Sequence, residues 1–267
     1  MQRYGWDRAA AHYERFWAAQ LQPARDALLV SAALRLGERV LDVACGTGLV
    51  TLRAAELVGT TGAVVGTDLS ETMVQTTRAE AALRGIDVQV LHMNAERLEF
   101  PDASFDIALC ALGLMYVPDP RRALAEMLRV VKPGGRVVAS VWGARRECGW
   151  AEIFPIVESR TASDVCPLFF QLGTGSALAD TMTAQGLVGV ETERLSTVLR
   201  YASDDEAIGA AFAGGPVALA YSRFSDEVRI GAHTEYLESL SAFHAGAGYG
   251  VPGSFVIVRG RRPPKAL

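Results

Sequence analysis

The stretch of this chain with the most chemical content is Val40-Leu41-Asp42-Val43-Ala44-Cys45-Gly46-Thr47-Gly48. Small residues at 44, 46 and 48 let the backbone turn sharply and let a ligand approach it closely. A helix predicted from Leu49 points its N-terminus at the same spot, with free N–H groups and a partial positive charge. Asp68 comes 20 residues after Gly48, at the end of the next predicted strand, where a carboxylate can accept both hydroxyls of a ribose. Together these features describe a nucleoside-binding edge at the carboxyl ends of parallel strands.

Charge decides between nucleosides. The dinucleotide fingerprint is G-x-G-x-x-G, and the place of its third glycine is taken here by Thr51. Asp42 adds an acid at the tip of the first strand. A carboxylate beside a pyrophosphate is repulsive, whereas beside an ammonium and a sulfonium it is favourable. That choice points to S-adenosylmethionine, with Asp42 among the residues that hold it. An NAD(P)-dependent reductase is the rival that Thr51 and Asp42 count against. A non-catalytic protein that binds S-adenosylmethionine or S-adenosylhomocysteine stays open, because binding and transfer share this motif.

The elements that must position these residues alternate. The first 36 residues read as helices, with Tyr13, Phe16, Trp17 and Leu21 on one face, Pro23 as an interruption and Gly37 as the stop. Predicted strands follow at Arg39 to Val43, Ala63 to Thr67, Val88 to Met93, Phe105 to Cys110 and Arg136 to Trp142. Helices from Leu49, Ser70 and Arg121 separate them, and Pro133-Gly134-Gly135 ends the last of these. Strict alternation implies right-handed crossovers and a parallel sheet covered on both faces. Later come helices over Trp150 to Arg160 and Ser176 to Gln185, a long strand over Val188 to Arg200 and a seventh strand at Phe255 to Val258. The helical block of about 45 residues between those two strands is too long for a simple connection. It reads as a cap over the ligand edge.

Composition narrows the classes. The chain has 267 residues, half of them apolar and 21% charged, which excludes a disordered chain. A net charge of −4 argues against non-specific nucleic-acid binding. The longest apolar run, Ile107 to Val117, falls short of the about 20 residues of a bilayer-spanning helix. The N-terminal segment lacks an apolar h-region, so no secretory signal is expected. Cys45, Cys110, Cys148 and Cys166 have no Cys-x-x-Cys spacing, and the expectation is a reducing, cytoplasmic compartment. His12, His92, His233 and His244 have no metal-ligand spacing, so no metal is expected.

Val40 to Gly48 resembles motif I of the class I S-adenosylmethionine-dependent methyltransferases, and within them the ubiquinone and menaquinone biosynthesis enzymes, of the methyltransferase type 11 kind. The likeness continues through Val65-Gly66-Thr67-Asp68-Leu69-Ser70-x-x-Met73 and through Asn94-Ala95-Glu96-x-Leu98-x-Phe100-Pro101-Asp102-x-Ser104-Phe105-Asp106. It ends in Ala125 to Gly135, and Trp6-Asp7-x-x-Ala10-x-x-Tyr13-Glu14 resembles the segment that precedes the core. The resemblance implies that Ala44, Gly46 and Gly48 lie against the methionine part of the cofactor and that Asp68 holds the ribose. It implies Leu69 and Met73 on the adenine, with Asn94 and Ala95 at its edge. Cys110, Ala111 and Leu112 would line the methionine end, Met115 would close that side, and Tyr13 would reach over from the N-terminal helices. Two departures stand out: Ala44 where the family usually has glycine, and Asn94 where it usually has aspartate.

The resulting expectation is an α/β fold, a Rossmann-like three-layer α/β/α sandwich with a mostly parallel seven-stranded sheet. N-terminal helices (1–36) would lie over the cofactor site of a core (37–145). The remainder (146–267) would complete the sheet and carry the cap at about 204–250. Phe154, Phe169, Phe170, Phe212 and Tyr221 would line an apolar pocket for a small organic acceptor, or else glue the cap to the sheet. The chain would act as a monomer or homodimer. Tyr116, His12 and the cap histidines are candidate bases, needed only if the acceptor must lose a proton. A catalytic thiolate at Cys110 is not expected, since no basic partner is near it in sequence.

Overall fold

The computed structural model describes residues 6–7, 13–161 and 169–264, so His12 and Cys166 lie outside the described residues. Eight strands form one sheet: β1 (Arg39–Val43), β2 (Ala63–Asp68), β3 (Gln89–His92), β4 (Phe105–Ala111), β5 (Val131–Trp142), β6 (Val188–Tyr201), β7 (His244–Ala245) and β8 (Gly248–Arg261). The order is β3-β2-β1-β4-β5-β8-β6, and β7 pairs only with β8. From β3 to β5 every pairing is parallel, while β8 runs antiparallel to both β5 and β6. The expected seven strands are the ones on this path. The eighth, two-residue β7 was invisible because it is only the return arm of the turn into β8.

Central strands are apolar without alternation because both faces are covered. Val40, Leu41, Ile107, Leu109, Val137 and Val138 have no exposed surface. The covering helices are α1 (Gln22–Ala32), α2 (Leu49–Val58), α3 (Glu71–Arg84), α4 (Pro120–Val130), α5 (Ile153–Glu158) and α6 (Ala177–Ala184). Helix α1 packs beside α2 and against β4, β5 and β8, whereas α4 packs beside α6. Ser70 starts α3 by accepting the Met73 N–H (3.2 Å), and Gly85 ends it in the left-handed conformation. Between β6 and β8 lie α7 (Asp204–Ile208), a π-helical turn (Gly209–Ala213), α8 (Ala218–Tyr221) and α9 (Asp226–Ser239).

Pro23 sits in the first turn of α1 and, as expected, separates it from the helical turn before it. Three local expectations change. The helix stops at Ala33, at φ 45°, and not at Gly37. Its end is fixed from outside, because Arg136 Nε donates to the Ala32 carbonyl (2.9 Å). The fifth strand begins at Val131, with Lys132 to Gly135 bulged out of register against β4. His92, expected in the core, is exposed on the edge strand and bonds the Leu69 carbonyl (2.8 Å).

The strand order reverses between β1 and β4. The connections leaving their carboxyl ends therefore diverge and open a crevice, the usual ligand position in such sheets.

Arg136 ties this frame together. It is buried, pairs with Glu38 (2.7 Å) and caps α1, so one side chain joins β5 to the approach to β1. Arg136→Ala leaves a half-buried carboxylate unpaired and an α1 carbonyl without its donor. The expected loss is about 3–5 kcal/mol in a urea titration, and a change below about 1 kcal/mol would show that the pair carries no such weight.

Candidate cofactor and acceptor site

The turn after β1 is built from left-handed residues: Ala44 (φ 56°), Gly46 (φ 57°) and Gly48 (φ 89°). Alanine in this region is strained, and the structure shows how it is accommodated. A Cβ placed on Gly113, in the connection after β4, would lie 2.6 Å from the Ala44 methyl. The bare Gly113 backbone thus supplies the room that Ala44 needs. Gly46 is held from both sides: its N–H donates to Asp68 Oδ2 (2.9 Å), and its carbonyl accepts from Thr77 Oγ1 (2.8 Å).

Two joined cavities open at this turn. The larger, of about 360 Å³, is lined on one side by Asp68, Leu69, Met73, Met93, Asn94 and Ala95. On the other side stand Tyr13, Met115 and Tyr116, with Trp17, Trp142 and Trp150 beyond them. The smaller is lined by Arg25, Asp42, Cys45, Thr47, Leu49 and Val50. Tyr13, Leu21, Ala44, Gly46, Ala111 and Leu112 line both and form the junction. Leu112, at φ 57°, is a second non-glycine residue held in the left-handed region there.

Of the residues expected at the site, eleven line a cavity wall: Tyr13, Asp42, Ala44, Gly46, Asp68, Leu69, Met73, Asn94, Ala95, Leu112 and Met115. Gly48 and Cys110 line neither. Gly48 is the N-cap of α2, and Thr77 Cγ2 lies 2.5 Å from where its Cβ would be, so it serves the packing of the turn. Cys110 is fully buried with its sulfur against Gly113, and its neighbour Ala111 takes the wall position instead. The reason is strand parity, which sends adjacent side chains to opposite faces. Burial, with Asp42 nearby, pushes the Cys110 thiol up to about 12, so it is no thiolate.

Asp42 is completely buried. Thr51 Oγ1 donates to its Oδ2 at 2.6 Å, while Oδ1 has no partner among the described residues. Burial lifts its pKa to about 7, the charge of Asp68 adds to that, and the Thr51 hydrogen bonds oppose it. The residue that breaks the dinucleotide fingerprint is therefore the one that holds this carboxylate. Asp68 does not cap α3 through its own side chain but accepts N–H groups from Gly46 and Ser70 (2.9 Å each). Burial raises its pKa and those N–H groups counteract the rise. Each oxygen keeps a lone pair for a further donor.

The smaller cavity has further unsatisfied groups. Thr47 Oγ1 and Arg25 Nε are buried without a partner among the described residues, and α2 begins there with no side-chain cap. One wall thus offers a carboxylate, a guanidinium, a hydroxyl and a helix N-terminus. That set matches the ammonium and carboxylate of an amino acid. The residues present fit S-adenosylmethionine: the amino-acid end in the smaller cavity, the ribose at Asp68, and the adenine between Leu69, Met73 and Ala95. Asn94 Oδ1 is spent on the Glu96 N–H (2.9 Å), which leaves its amide nitrogen as a donor.

The expected aromatic lining is wrong in its membership. Phe154, Phe169, Phe170, Phe212 and Tyr221 do not line either cavity. The first three pack behind Trp150 at 5.7–6.0 Å, and the last two pack with His233 inside the cap. Gly214, Gly215 and Pro216 are the part of the cap that reaches the cavity. The sequence did hold a signal for Trp142, the last residue of β5, since ligand edges are built from carboxyl ends. Trp17 was readable only as part of a helical stripe, and nothing local marked Arg25 or Trp150. Among the candidate bases, Tyr116 lines the cavity, but burial pushes its pKa well above the ordinary value. His233 bonds the Tyr221 hydroxyl (2.9 Å) and His244 stacks on Tyr249, both away from the cavities.

Comparison with known proteins agrees with this geometry. A family profile described as "Methyltransferase domain" matches residues 40–135. An uncharacterized protein of Mycobacterium tuberculosis, Rv1405c, is 31% identical over 219 residues, covering 80% of this chain and 78% of the relative. The ubiquinone/menaquinone biosynthesis C-methyltransferase UbiE of Marinomonas is 43% identical over 109 residues, but the match spans only 40% of this chain and 43% of that one. The crystal structure of YcgJ from Bacillus subtilis superposes with a TM-score of 0.63 at 19% identity, covering 90% of this chain and 98% of that one. With the methyltransferase-domain match over the β1–β5 core and the methyltransferase relatives that share it, this chain belongs to the class I S-adenosylmethionine-dependent methyltransferases.

Proposed function

We propose that the two cavities divide the work: the smaller one and the β2–β3 side of the larger hold S-adenosylmethionine, and the aromatic remainder holds a small, partly apolar organic acceptor. The observation that carries this reading is the pair of carboxylates, Asp42 and Asp68, at the tips of β1 and β2 on either side of the junction. When bound, the cofactor supplies a methyl group already activated by positive charge. The protein's part is alignment and exclusion of water, with nucleophile and methyl held at about 3 Å. Asp42 would take the ammonium, Arg25 and Thr47 the carboxylate, and Asp68 the ribose hydroxyls.

The acceptor is proposed to be small because the chamber is enclosed by aromatic side chains from three parts of the chain and by a proline from a fourth. Trp6 and Tyr13 come from the N-terminal region, Trp142 from β5, Trp150 from the segment after it and Pro216 from the cap. O-, C- and N-methylation are all open to such a chamber. Three described cysteines are free and buried, which supports a place in the reducing cytoplasm.

Asp68→Ala is expected to weaken S-adenosylmethionine binding at least tenfold in calorimetry, since a charge-assisted contact is worth about 1.5–3 kcal/mol. Unchanged affinity in a folded variant would remove Asp68 from the site. Asp42 has a pH signature. Its carboxylate must be charged to hold an ammonium, so cofactor affinity is expected to be flat above pH about 7 and to fall as pH drops below it. For the unliganded protein the sign is opposite. Because the folded value of about 7 lies above the ordinary 3.8, this group contributes stability at low pH that is lost as pH rises from about 4 to 7. Thr51→Val removes the hydrogen bond that favours the charged form. It should move the midpoint of the affinity profile to higher pH, and calorimetry at a series of pH values reads the shift directly.

A further inference from the structure

The acceptor end of the larger cavity is bounded by an unbroken run of ring contacts. Trp6 meets Tyr116 edge to face (4.8 Å, 85°), Tyr116 meets Phe169 (5.2 Å), and Phe169 meets Trp150 (6.0 Å, 89°). Trp150 packs on Trp142 (4.8 Å) and on Trp17 (5.9 Å). Five of these six rings line the cavity, and Phe169 braces them from behind. Among the described residues no lysine, arginine or histidine lines this larger cavity, whereas Asp68 and Glu96 do. An aromatic wall with an acidic edge attracts cations and presents no cationic side chain to a phosphate or a carboxylate.

We propose that the acceptor is an amine without an anionic group, bound neutral against this aromatic wall and methylated at nitrogen. The inference rests on the methyl-transfer reading above and narrows its acceptor class. In the step, the nitrogen lone pair forms the new N–CH3 bond while the S–CH3 bond breaks and its electron pair stays on sulfur. The positive charge passes from sulfur to nitrogen, so the charge in the chamber is the same before and after transfer. A secondary amine sheds its N–H proton to water on release, and a tertiary amine has none to shed.

Three features of the chamber favour this class over a hydroxyl acceptor. The sulfonium of the bound donor disfavours a second cation beside it, so the amine enters in its neutral, nucleophilic form and a lone pair is available without a base. The tyrosine hydroxyls that face the chamber resist ionisation: Tyr13 is pushed up to about 12 by burial, and Tyr116 is pushed up as well. The carboxylates on the wall already accept backbone N–H groups. Asp68 accepts from Gly46 and Ser70, and Glu96 Oε1 accepts the Asp119 N–H (2.8 Å). A hydroxyl acceptor must discard a proton within the chamber, whereas the ammonium product is stabilised by the aromatic rings around it.

The test compares a cation with its neutral isostere. Benzyltrimethylammonium and neopentylbenzene have the same shape and differ in charge. Both are titrated calorimetrically into the full-length protein saturated with S-adenosylhomocysteine. The cation is expected to bind at least tenfold more tightly. Trp142→Leu and the peripheral Trp6→Leu are expected to reduce that preference at least threefold while retaining S-adenosylhomocysteine binding, which also reports that each variant is folded. In parallel, labelled methyl transfer to N,N-dimethylbenzylamine is compared with transfer to phenols and quinols. Equal binding of the two probes, binding of neither, or transfer to phenols and quinols but not to the amine overturns the proposal. Failure of S-adenosylhomocysteine itself to bind overturns the methyl-transfer reading instead, so the two failures are distinguishable.

Discussion

A carboxylate buried at the point where β1 and β4 part sets the terms for everything around it. Asp42 has no cation beside it among its hydrogen-bond partners, and one of its oxygens has no partner at all among the described residues. Such a group is costly in the unliganded fold. The cost is limited by one hydroxyl from α2, and the fold retains the rest as a negative pole at the mouth of a cavity. Its influence spreads. The thiols of Cys45 and Cys110 are pushed up by burial and further by the nearby carboxylates, so the two sulfurs beside the site are kept as neutral packing groups.

Backbone geometry around that pole is equally constrained. Ala44 and Leu112, both left-handed, line the junction of the two cavities, and Gly113 gives way to the Ala44 methyl. Strained non-glycine residues persist only where the surroundings over-determine them. Here the surroundings are two strand ends fixed in parallel register, Val40 beside Ile107 and Asp42 beside Leu109. The same register sets the distance between the cofactor wall and the aromatic wall. Closure then comes from outside the sheet. Ser70 Oγ donates to Asp7 (2.5 Å), tying the N-terminal segment to the start of α3. Phe16 packs where Gly209 and Gly214 lack side chains, and this seats the cap on the same segment.

Much of this was legible in the chain order. Alternating apolar strands and capped helices named the sheet, and Ser70, Gly85 and the turn at 44–48 placed α2 and α3 to within a residue or two, whereas β5 and β8 begin five and seven residues before the expected Arg136 and Phe255. The acids at the tips of β1 and β2 were legible because charge type and position are both local facts, and both line the cavities at the turn. Where the reading went astray, a distant partner decided the outcome. Gly37 was a sound local stop for α1, yet Arg136, about a hundred residues away, ends that helix at Ala33. Thr51 read as a missing glycine until its hydroxyl was found on Asp42.

The sequence by itself determined the class of fold and the two acids at the strand tips, since periodicity, caps and acids act within a few residues of themselves. Only the tertiary structure decided which side chains line the larger cavity. Strand parity chose Ala111 over Cys110, and helix facing turned Phe154 away while Trp150 stayed on the wall. Packing also brought Arg25, Trp17 and Pro216 to a turn that none of them adjoins in the chain. Such convergence depends on how non-local surfaces share burial, and no local pattern of residues encodes it.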